Sequence, residues 1–375
     1  MPNGRTRVRT TVISLVLAVV LFGLNACSYL NPGSESGAET THFAGRVDTT
    51  PTGLHLDGTP WWPSGFNAYQ LGTNWAVNAG CGAEVDLDRY FGALPPRALT
   101  RFNLYAMFAV NKHTGGLDFG PLDAVFAAAK RHHQMVLPVL TGSSGDCEDG
   151  VFKDRSWYTD GWRTTRAVGG MTYADWMSIA VKRWAGETSL AGWELVGEPE
   201  TSSCGAGGCD LAHRTCQPGA AQVLRDFFDA AGAALRDIDR RHPMFAGFTG
   251  GDQCGTTGTD MDIVAQSPHL DVLDYHDYRN DEGIPPAGSD LSARIALADR
   301  LGKPIVVNEL GIKAGSCLSI STRAAELRTR LADIRREGVA GVLLWAFVPD
   351  PRPDECTYDI GYDDPAWRVV DQAIV

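Results

Sequence analysis

The sequence predicts an α/β fold in which eight strand–helix units close into a (β/α)8 TIM barrel, preceded by a short N-terminal hairpin. Short apolar runs alternate with amphipathic helices along the chain. The runs are continuously apolar, as strands are when helices cover both faces of a parallel sheet. Eight such units fit comfortably within 375 residues. An open, doubly wound sheet is the alternative arrangement for the same pattern.

The elements follow in chain order. The hairpin is expected within residues 54–69, with its turn at Asp57-Gly58 and a first barrel strand near 62–67. Further strands are expected at 98–109, 135–142, 190–198, 243–251, 270–278, 303–311 and 339–347. Apolar spacings of three and four predict helices at about 84–93, 121–134, 173–187, 221–241, 291–302, 321–338 and 364–375.

The N-terminus has the pattern of an export signal. Three arginines precede the apolar run "TVISLVLAVVLFGLNAC", which is short for a membrane span of about 20 residues. The sequence "LNAC" resembles the lipobox of bacterial lipoproteins, in which the cysteine is lipidated; a plain signal peptide is the alternative. We therefore expect a signal peptide at 1–26, lipidation of Cys27, a flexible tether at 27–42 and a catalytic domain at 43–375. The mature protein would be exported and anchored to the outer side of the cell membrane.

The remaining cysteines number eight, an even count that suggests disulfides in an exported chain. Zinc is the alternative, because "CGAGGCDLAHRTC" mixes Cys and His, although its spacings match no common zinc pattern. We expect disulfides that brace one face of the barrel, with Cys317–Cys356 as the best single pair, since both residues follow late strands.

The formal charge is −12, and removal of the leader with its three arginines makes it about −15. The sequence has no basic stripe, so nucleic acid and anionic lipid are poor partners. A neutral polysaccharide or oligosaccharide substrate fits this charge best. We expect a monomer with no metal and no organic cofactor.

Chemistry-bearing residues stand where predicted strands end, which is where (β/α)8 barrels carry their functional side chains. They are Asn67, Arg101, Glu198, His276, Glu309 and Trp345. Long irregular segments follow several of the strands, at 141–171, 199–217, 277–289 and 347–364. The sequence therefore predicts one elaborated face.

Glu198 and Glu309 are the two best-placed acids on this face. Two carboxylates, one protonated and one ionised, are the minimal machinery for glycoside hydrolysis. An ionised carboxylate at the end of an apolar strand is costly to bury without a role. The alternative is a pair of salt-bridged structural glutamates.

The chain resembles glycoside hydrolase family 5 from about Gly45 to its C-terminus. The matching segments are "GTPWWPSGFNAY", "LTRFNLYAMF", "LAGWELVGEPE", "DVLDYHDY", "KPIVVNELG" and "GVLLWAF", in family order. The resemblance implies a retaining β-glycosidase similar to endo-β-1,4-mannanases and cellulases. A catalytically weak or inactive glycan-binding lipoprotein on the same barrel, or a transglycosylase, is the alternative function.

The resemblance also implies residue roles. Glu198 stands at the acid/base position and Glu309 at the nucleophile position. Arg101 matches the arginine that keeps the nucleophile ionised, and Tyr278 the tyrosine that orients it. His276 matches the histidine that contacts substrate.

Two more residues are assigned to substrate binding. Trp345 matches the tryptophan on which the reacting sugar lies, and Asn67 ends the first strand. The sequence departs from the family at Gly197, where an asparagine normally precedes the acid/base and bonds the sugar's 2-hydroxyl. Lost activity, replacement by another side chain or water, and room for a different 2-substituent are three explanations for this glycine.

Overall fold

A computed structural model describes residues 44–251, 253–278 and 286–374 of the chain. The expected signal peptide (1–26), the tether (27–42) and the lipidated Cys27 lie outside the described residues. No helix within the described ranges is long and apolar enough to cross a membrane.

The core of the structure is a closed barrel of eight parallel strands. In chain order the strands are β4 (Ser64–Asn67), β5 (Leu99–Asn103), β6 (Met135–Val139), β7 (Trp193–Glu194), β10 (Met244–Phe245), β11 (Leu273–Asp277), β12 (Ile305–Gly311) and β14 (Val342–Trp345). Each strand pairs with the next along the chain, and β14 pairs with β4. A parallel bridge between Phe245 and Val272 joins β10 to β11 and completes the ring. The predicted (β/α)8 barrel is confirmed.

Helices surround the barrel. They are α1 (Leu87–Ala93), α2 (Gly120–Arg131), α3 (Trp162–Thr164), α4 (Tyr173–Trp184), α5 (Ala220–Arg236), α6 (Asp260–Val264), α7 (Leu291–Leu301), α8 (Ile320–Arg336) and α9 (Ala366–Ile374). Local signals set several starts: Thr172 and Asp175 form a reciprocal capping box on α4. Short 3₁₀ turns occur at Ala106–Ala109, Val168–Gly170 and Leu211–His213, and a π turn at Trp157–Gly161.

Several elements differ from the sequence prediction, among them the strands expected at 190–198 and 243–251, which are only two residues long in the structure. The strand expected at 98–109 ends at Asn103, because the chain then turns into the 3₁₀ segment. The short helix α6 was not predicted, since five residues are too few to show a helical period.

An antiparallel sheet of three strands packs against the barrel near the strand starts. Its strands are β1 (Val47–Thr50), β2 (Gly53–Leu56) and β3 (Thr59–Trp61). Asp57 and Gly58 both have positive φ (53° and 76°), as the predicted hairpin turn requires. Side chains of this sheet join the barrel interior in one buried cluster, which includes Leu54, Leu56, Leu99, Met135, Val306 and Leu343. The sheet therefore forms the floor of the barrel.

The loops after the strands form the opposite face. Two short pairs lie there: β8 (Ser203–Cys204) with β9 (Arg214–Thr215), and β13 (Ala314–Gly315) with β15 (Cys356–Thr357). The eight described cysteines form four disulfides, Cys81–Cys147, Cys204–Cys209, Cys216–Cys254 and Cys317–Cys356. The predicted Cys317–Cys356 bond is confirmed, and none of these eight cysteines keeps a thiolate for zinc. Disulfides of this kind are typical of exported proteins.

Candidate active site

Glu309 lies on β12, buried at the mouth of the barrel, with 5 % of its side chain exposed. Arg101 Nη1, from β5, donates to Glu309 Oε1 at 2.6 Å. The Tyr278 hydroxyl donates to Glu309 Oε2. One carboxylate is thus held by a cation on one oxygen and a phenol on the other, which fixes its orientation.

Opposing effects set the protonation of Glu309. Burial raises the pKa of its carboxyl, and the guanidinium of Arg101 lowers it. The net direction is a raised pKa. The guanidinium of Arg101 therefore opposes the effect of burial and favours the ionised form of this carboxyl.

Glu198 follows β7 and differs from Glu309 in its surroundings. Its side chain is 43 % exposed. Its backbone has φ of 53°, a left-handed conformation that is uncommon for a residue with a side chain and is enriched at functional sites. Its backbone N–H donates to the Gly247 carbonyl at 2.9 Å, which supports this conformation.

His276 lies behind the two carboxylates. Its Nδ1 is 2.7 Å from Glu198 Oε1 and 3.4 Å from Glu309 Oε2. Burial lowers the pKa of His276 to about 4, so the imidazole is neutral near pH 7. Its ring therefore positions the acids without adding a positive charge at neutral pH.

The two carboxylates are close together. Glu198, His276 and Glu309 each bring one ligand atom to within 4.8 Å of the others. The nearest carboxylate oxygens of Glu198 and Glu309 thus lie no more than 4.8 Å apart, which is compatible with the carboxyl separation of roughly 5–5.5 Å typical of retaining glycosidases. The same three atoms could also coordinate a cation.

A buried ionic network that the sequence analysis missed supports this pair. Glu194 is fully buried and accepts two hydrogen bonds from Arg101, at 2.8 Å from Nε and 2.6 Å from Nη2. The Asn308 side-chain amide also donates to Glu194 at 3.1 Å. Arg101 thus bridges Glu194 and Glu309. The sequence feature that could have identified Glu194 as a site residue is its carboxylate inside the apolar run "WELV".

The carboxylates open into a cleft of about 740 Å³. Trp345 lines it, with its ring nearly parallel to that of Tyr69 (23°, centroids 5.9 Å apart). Charged groups, including Lys313 and Arg352, also line the cleft. A flat aromatic pair beside two carboxylates is suited to an apolar sugar face.

The structure divides the predicted site residues into two groups. The cleft is lined by Arg101, Glu198, Tyr278, Glu309 and Trp345. Two others lie beneath that surface: the His276 side chain is 1 % exposed, and buried Asn67 accepts from Arg101 Nη1 at 2.9 Å. Both residues were assigned to substrate binding, which stays a prediction; the structure shows His276 in contact with Glu198 and Glu309, and Asn67 in contact with Arg101.

No family model matches this chain. Two curated relatives are similar to it, both mannan endo-1,4-beta-mannosidase A. The one from Emericella nidulans is 24 % identical over 213 residues, 51 % of this chain and 50 % of the relative. The one from Hypocrea jecorina is 21 % identical over 278 residues, 68 % of this chain and 57 % of the relative. The matches thus span only 50 % and 57 % of the length of these relatives.

Solved structures share the fold. An endo-1,4-beta-mannanase from Rhizomucor miehei has a TM-score of 0.65 at 16 % identity, covering 88 % of this chain and 98 % of that one. The endo-beta-1,4-mannanase from Thermotoga petrophila has a TM-score of 0.61 at 16 % identity, and the match covers 85 % of this chain and 77 % of that one. A glycoside hydrolase family 5 mannosidase from Rhizomucor miehei has a TM-score of 0.61 at 13 % identity, and the match covers 88 % of this chain and 97 % of that one. At these identities the likeness concerns the fold.

Proposed function

We propose that this protein is a retaining β-glycoside hydrolase of the family 5 type, an endo-β-1,4-mannanase-like enzyme. The observation that carries the proposal is the pair Glu198 and Glu309, with carboxylate oxygens within 4.8 Å in unlike surroundings. The exposed acid can exchange protons with solvent, and the buried one is held by Arg101 and Tyr278. Unlike environments are what separate the acid from the nucleophile in such pairs.

The reaction follows from this division. Glu198 donates its proton to the glycosidic oxygen as that bond to the anomeric carbon breaks. Glu309 attacks the anomeric carbon and forms a glycosyl ester. Glu198, now ionised, takes a proton from water; the water oxygen bonds the anomeric carbon and the ester to Glu309 breaks, so that the configuration is retained.

Other residues assist these steps. Arg101 and Tyr278 orient Glu309, and His276 positions Glu198 through its 2.7 Å contact. Trp345 supports the apolar face of the reacting sugar. Asn67 and Glu194 hold Arg101 in place.

The substrate assignment has separate support. Both curated relatives are named mannan endo-1,4-beta-mannosidases. The sequence charge of −12 favours a neutral polymer over an anionic one. We therefore propose a neutral β-mannan as substrate. Retention of both carboxylates favours this enzyme over the inactive glycan-binding alternative.

The function is tested by chemical rescue. Glu309→Ala should lower kcat by about 10⁴-fold or more. Glu198→Ala should lower kcat by about 10²–10⁴-fold on polysaccharide. The loss in kcat should be much smaller on an aryl glycoside, because its leaving group needs no proton. Azide should then restore turnover of Glu198→Ala and yield a β-glycosyl azide. Glu326→Ala, on the exposed part of α8, is the matched control and should behave as wild type.

Two outcomes would reject this assignment. A wild-type protein that binds mannan but releases no reducing ends would support the glycan-binding alternative. An α-configured azide product would contradict the retaining mechanism. Separate digests of β-mannan, cellulose and xylan, analysed by mass spectrometry, identify which polysaccharide the enzyme cleaves.

We also propose that the protein is anchored through a lipid on Cys27. The support is the lipobox "LNAC" followed by a polar segment. Cys27→Ser should move the protein from the membrane fraction to the soluble fraction or block its processing. Unchanged fractionation of this variant would contradict the anchor.

A further inference from the structure

Two glycines stand side by side in the cleft wall next to the acid Glu198. Gly142, after β6, and Gly197 form a parallel bridge. The Gly197 N–H donates to the Thr141 carbonyl at 2.8 Å, and Gly197 O accepts from the Ser143 N–H at 3.0 Å. Both glycines line the cleft. The wall beside the acid therefore has no side chain of its own at two neighbouring positions.

Side chains from β5, from the turn after β5 and from the strands β6 and β7 lie against these glycines. A Cβ at Gly142 would lie 2.8 Å from the Tyr105 hydroxyl oxygen. A Cβ at Gly197 would lie 3.1 Å from Arg101 Nη2, 3.4 Å from Val139 and 3.6 Å from Glu194. The space beside Gly197 is thus already occupied, which argues against an enlarged pocket for a bulky sugar substituent.

Two polar groups of the same segment face the cleft. Asn103 follows Arg101 by two residues on β5, so its side chain lies on the same inner side of the strand, nearer the mouth. Asn103 and Tyr105 both line the cleft. Within the part of the chain that the structure describes, neither the Asn103 amide nor the Tyr105 hydroxyl has a hydrogen-bond partner.

The two groups are exposed to different extents. Tyr105 is only 5 % exposed as a whole residue, whereas Asn103 is partly exposed, and both line the cleft. Burial raises the pKa of Tyr105, so its hydroxyl remains a donor across the working pH range. Both groups are thus available to a ligand.

We propose that Asn103 and Tyr105 are specificity-determining residues that bind the hydroxyl on the sugar carbon next to the reacting carbon. The reacting carbon must lie between the Glu198 and Glu309 carboxylates, and Arg101 spans from Glu309 to the wall at Gly197. A sugar seated there brings the hydroxyl of the adjacent carbon to this wall. Asn103 and Tyr105 then supply the polar contact that glycine at 197 cannot. This inference rests on the proposed glycosidase function.

The test compares two substrates on three variants. The substrates are an activated aryl β-mannoside, extended by further mannose units where the enzyme requires them, and its analogue that lacks the 2-hydroxyl of the reacting sugar. The variants are Asn103→Ala, Tyr105→Phe and, as matched control, Tyr90→Phe. Tyr90 is equally buried but bonds Thr100 on the outer side of β5.

We expect Asn103→Ala and Tyr105→Phe to lower kcat/KM on the parent substrate by about 10- to 100-fold, and to change the rate on the deoxy analogue by less than about threefold. Tyr90→Phe should show the same ratio between the two substrates as wild type. A purely structural role would lower both rates equally. Thermal unfolding checks that each variant is folded, and Asn103→Ser replaces Asn103→Ala if the latter is not.

The outcomes separate the two proposals. Equal losses on both substrates, or no loss on either, would overturn this inference while the glycosidase assignment stands. A folded wild-type protein that cleaves no β-glycoside would overturn the proposed function and this inference with it.

Discussion

At the scale of single residues, the site depends on one cation shared by two buried acids. Arg101 makes two hydrogen bonds to Glu194 and one to Glu309. Breaking a buried ion pair by removing one partner typically costs about 3–5 kcal/mol, because a charge is left uncompensated. The planar guanidinium can reach both carboxylates at once, whereas an ammonium group cannot match that geometry.

Arg101→Lys should therefore change the pH dependence of activity. In the proposed mechanism Glu309 must be ionised to attack, so activity should fall as the pH drops through the pKa of Glu309, which burial already raises. Weakening the contact to the cation raises that pKa further, and the acid limb of kcat/KM should move to higher pH. Arg294→Lys is the control, since buried Arg294 bonds backbone carbonyls away from the carboxylates. An unshifted acid limb in Arg101→Lys would contradict this account.

At the scale of elements, disulfides tie together the loops that form the cleft. Cys81–Cys147 joins the loops after β4 and β6, and both cysteines line the cleft. Cys317–Cys356 joins the loop after β12 to the loop after β14, beside the cleft residues Thr357 and Tyr358. The barrel strands do not constrain such long loops, so the disulfides set their positions.

The disulfides should differ in their contribution to stability. Replacing Cys317 and Cys356 by serine opens a loop of sequence separation 39 and should lower the free energy of unfolding by about 4 kcal/mol. The same change at Cys204 and Cys209, separated by 5, should cost about 2 kcal/mol less. Denaturant unfolding of the two double variants measures both values. Equal losses would show that loop entropy is not the source of the difference.

At the scale of the whole molecule, the two ends of the barrel have different tasks. The N-terminal sheet and the apolar starts of the strands close the floor, whereas the carboxylates stand at the other ends of the strands. The residues that stabilise the floor and the proposed catalytic residues are therefore spatially separate, as is common for this fold.

Leu56→Ala tests this separation. Leu56 is fully buried in the floor, so the truncation should lower the free energy of unfolding by about 2–5 kcal/mol. Because the floor is remote from the cleft, kcat and KM of the folded variant should stay within about twofold of wild type at 25 °C. Leu211→Ala, at an 81 % exposed position, is the control for stability. A large fall in kcat for folded Leu56→Ala would show that floor and cleft are coupled.

The sequence by itself determined the class of fold and the strand-end positions of the main site residues. Both are local properties of the sequence. Apolar runs that alternate with helical periods predict a barrel, and the last residues of each parallel strand must lie at the mouth of that barrel. Glu198, Glu309 and the hairpin turn at Asp57-Gly58 were predicted on this basis. The Cys317–Cys356 bond was also within reach, because consecutive strands neighbour each other.

Only the tertiary structure decided which side chains meet across the barrel. Arg101 contacts Glu194 and Glu309 over sequence separations of 93 and 208 residues, and no local period encodes such a pairing. The direction of His276 toward the carboxylates depends equally on barrel closure, and so does the position of Asn103 and Tyr105 in the cleft wall beside two bridged glycines. Closure brings distant strand ends within hydrogen-bond distance, so the network around Glu309 is a property of the packed barrel and not of any single strand.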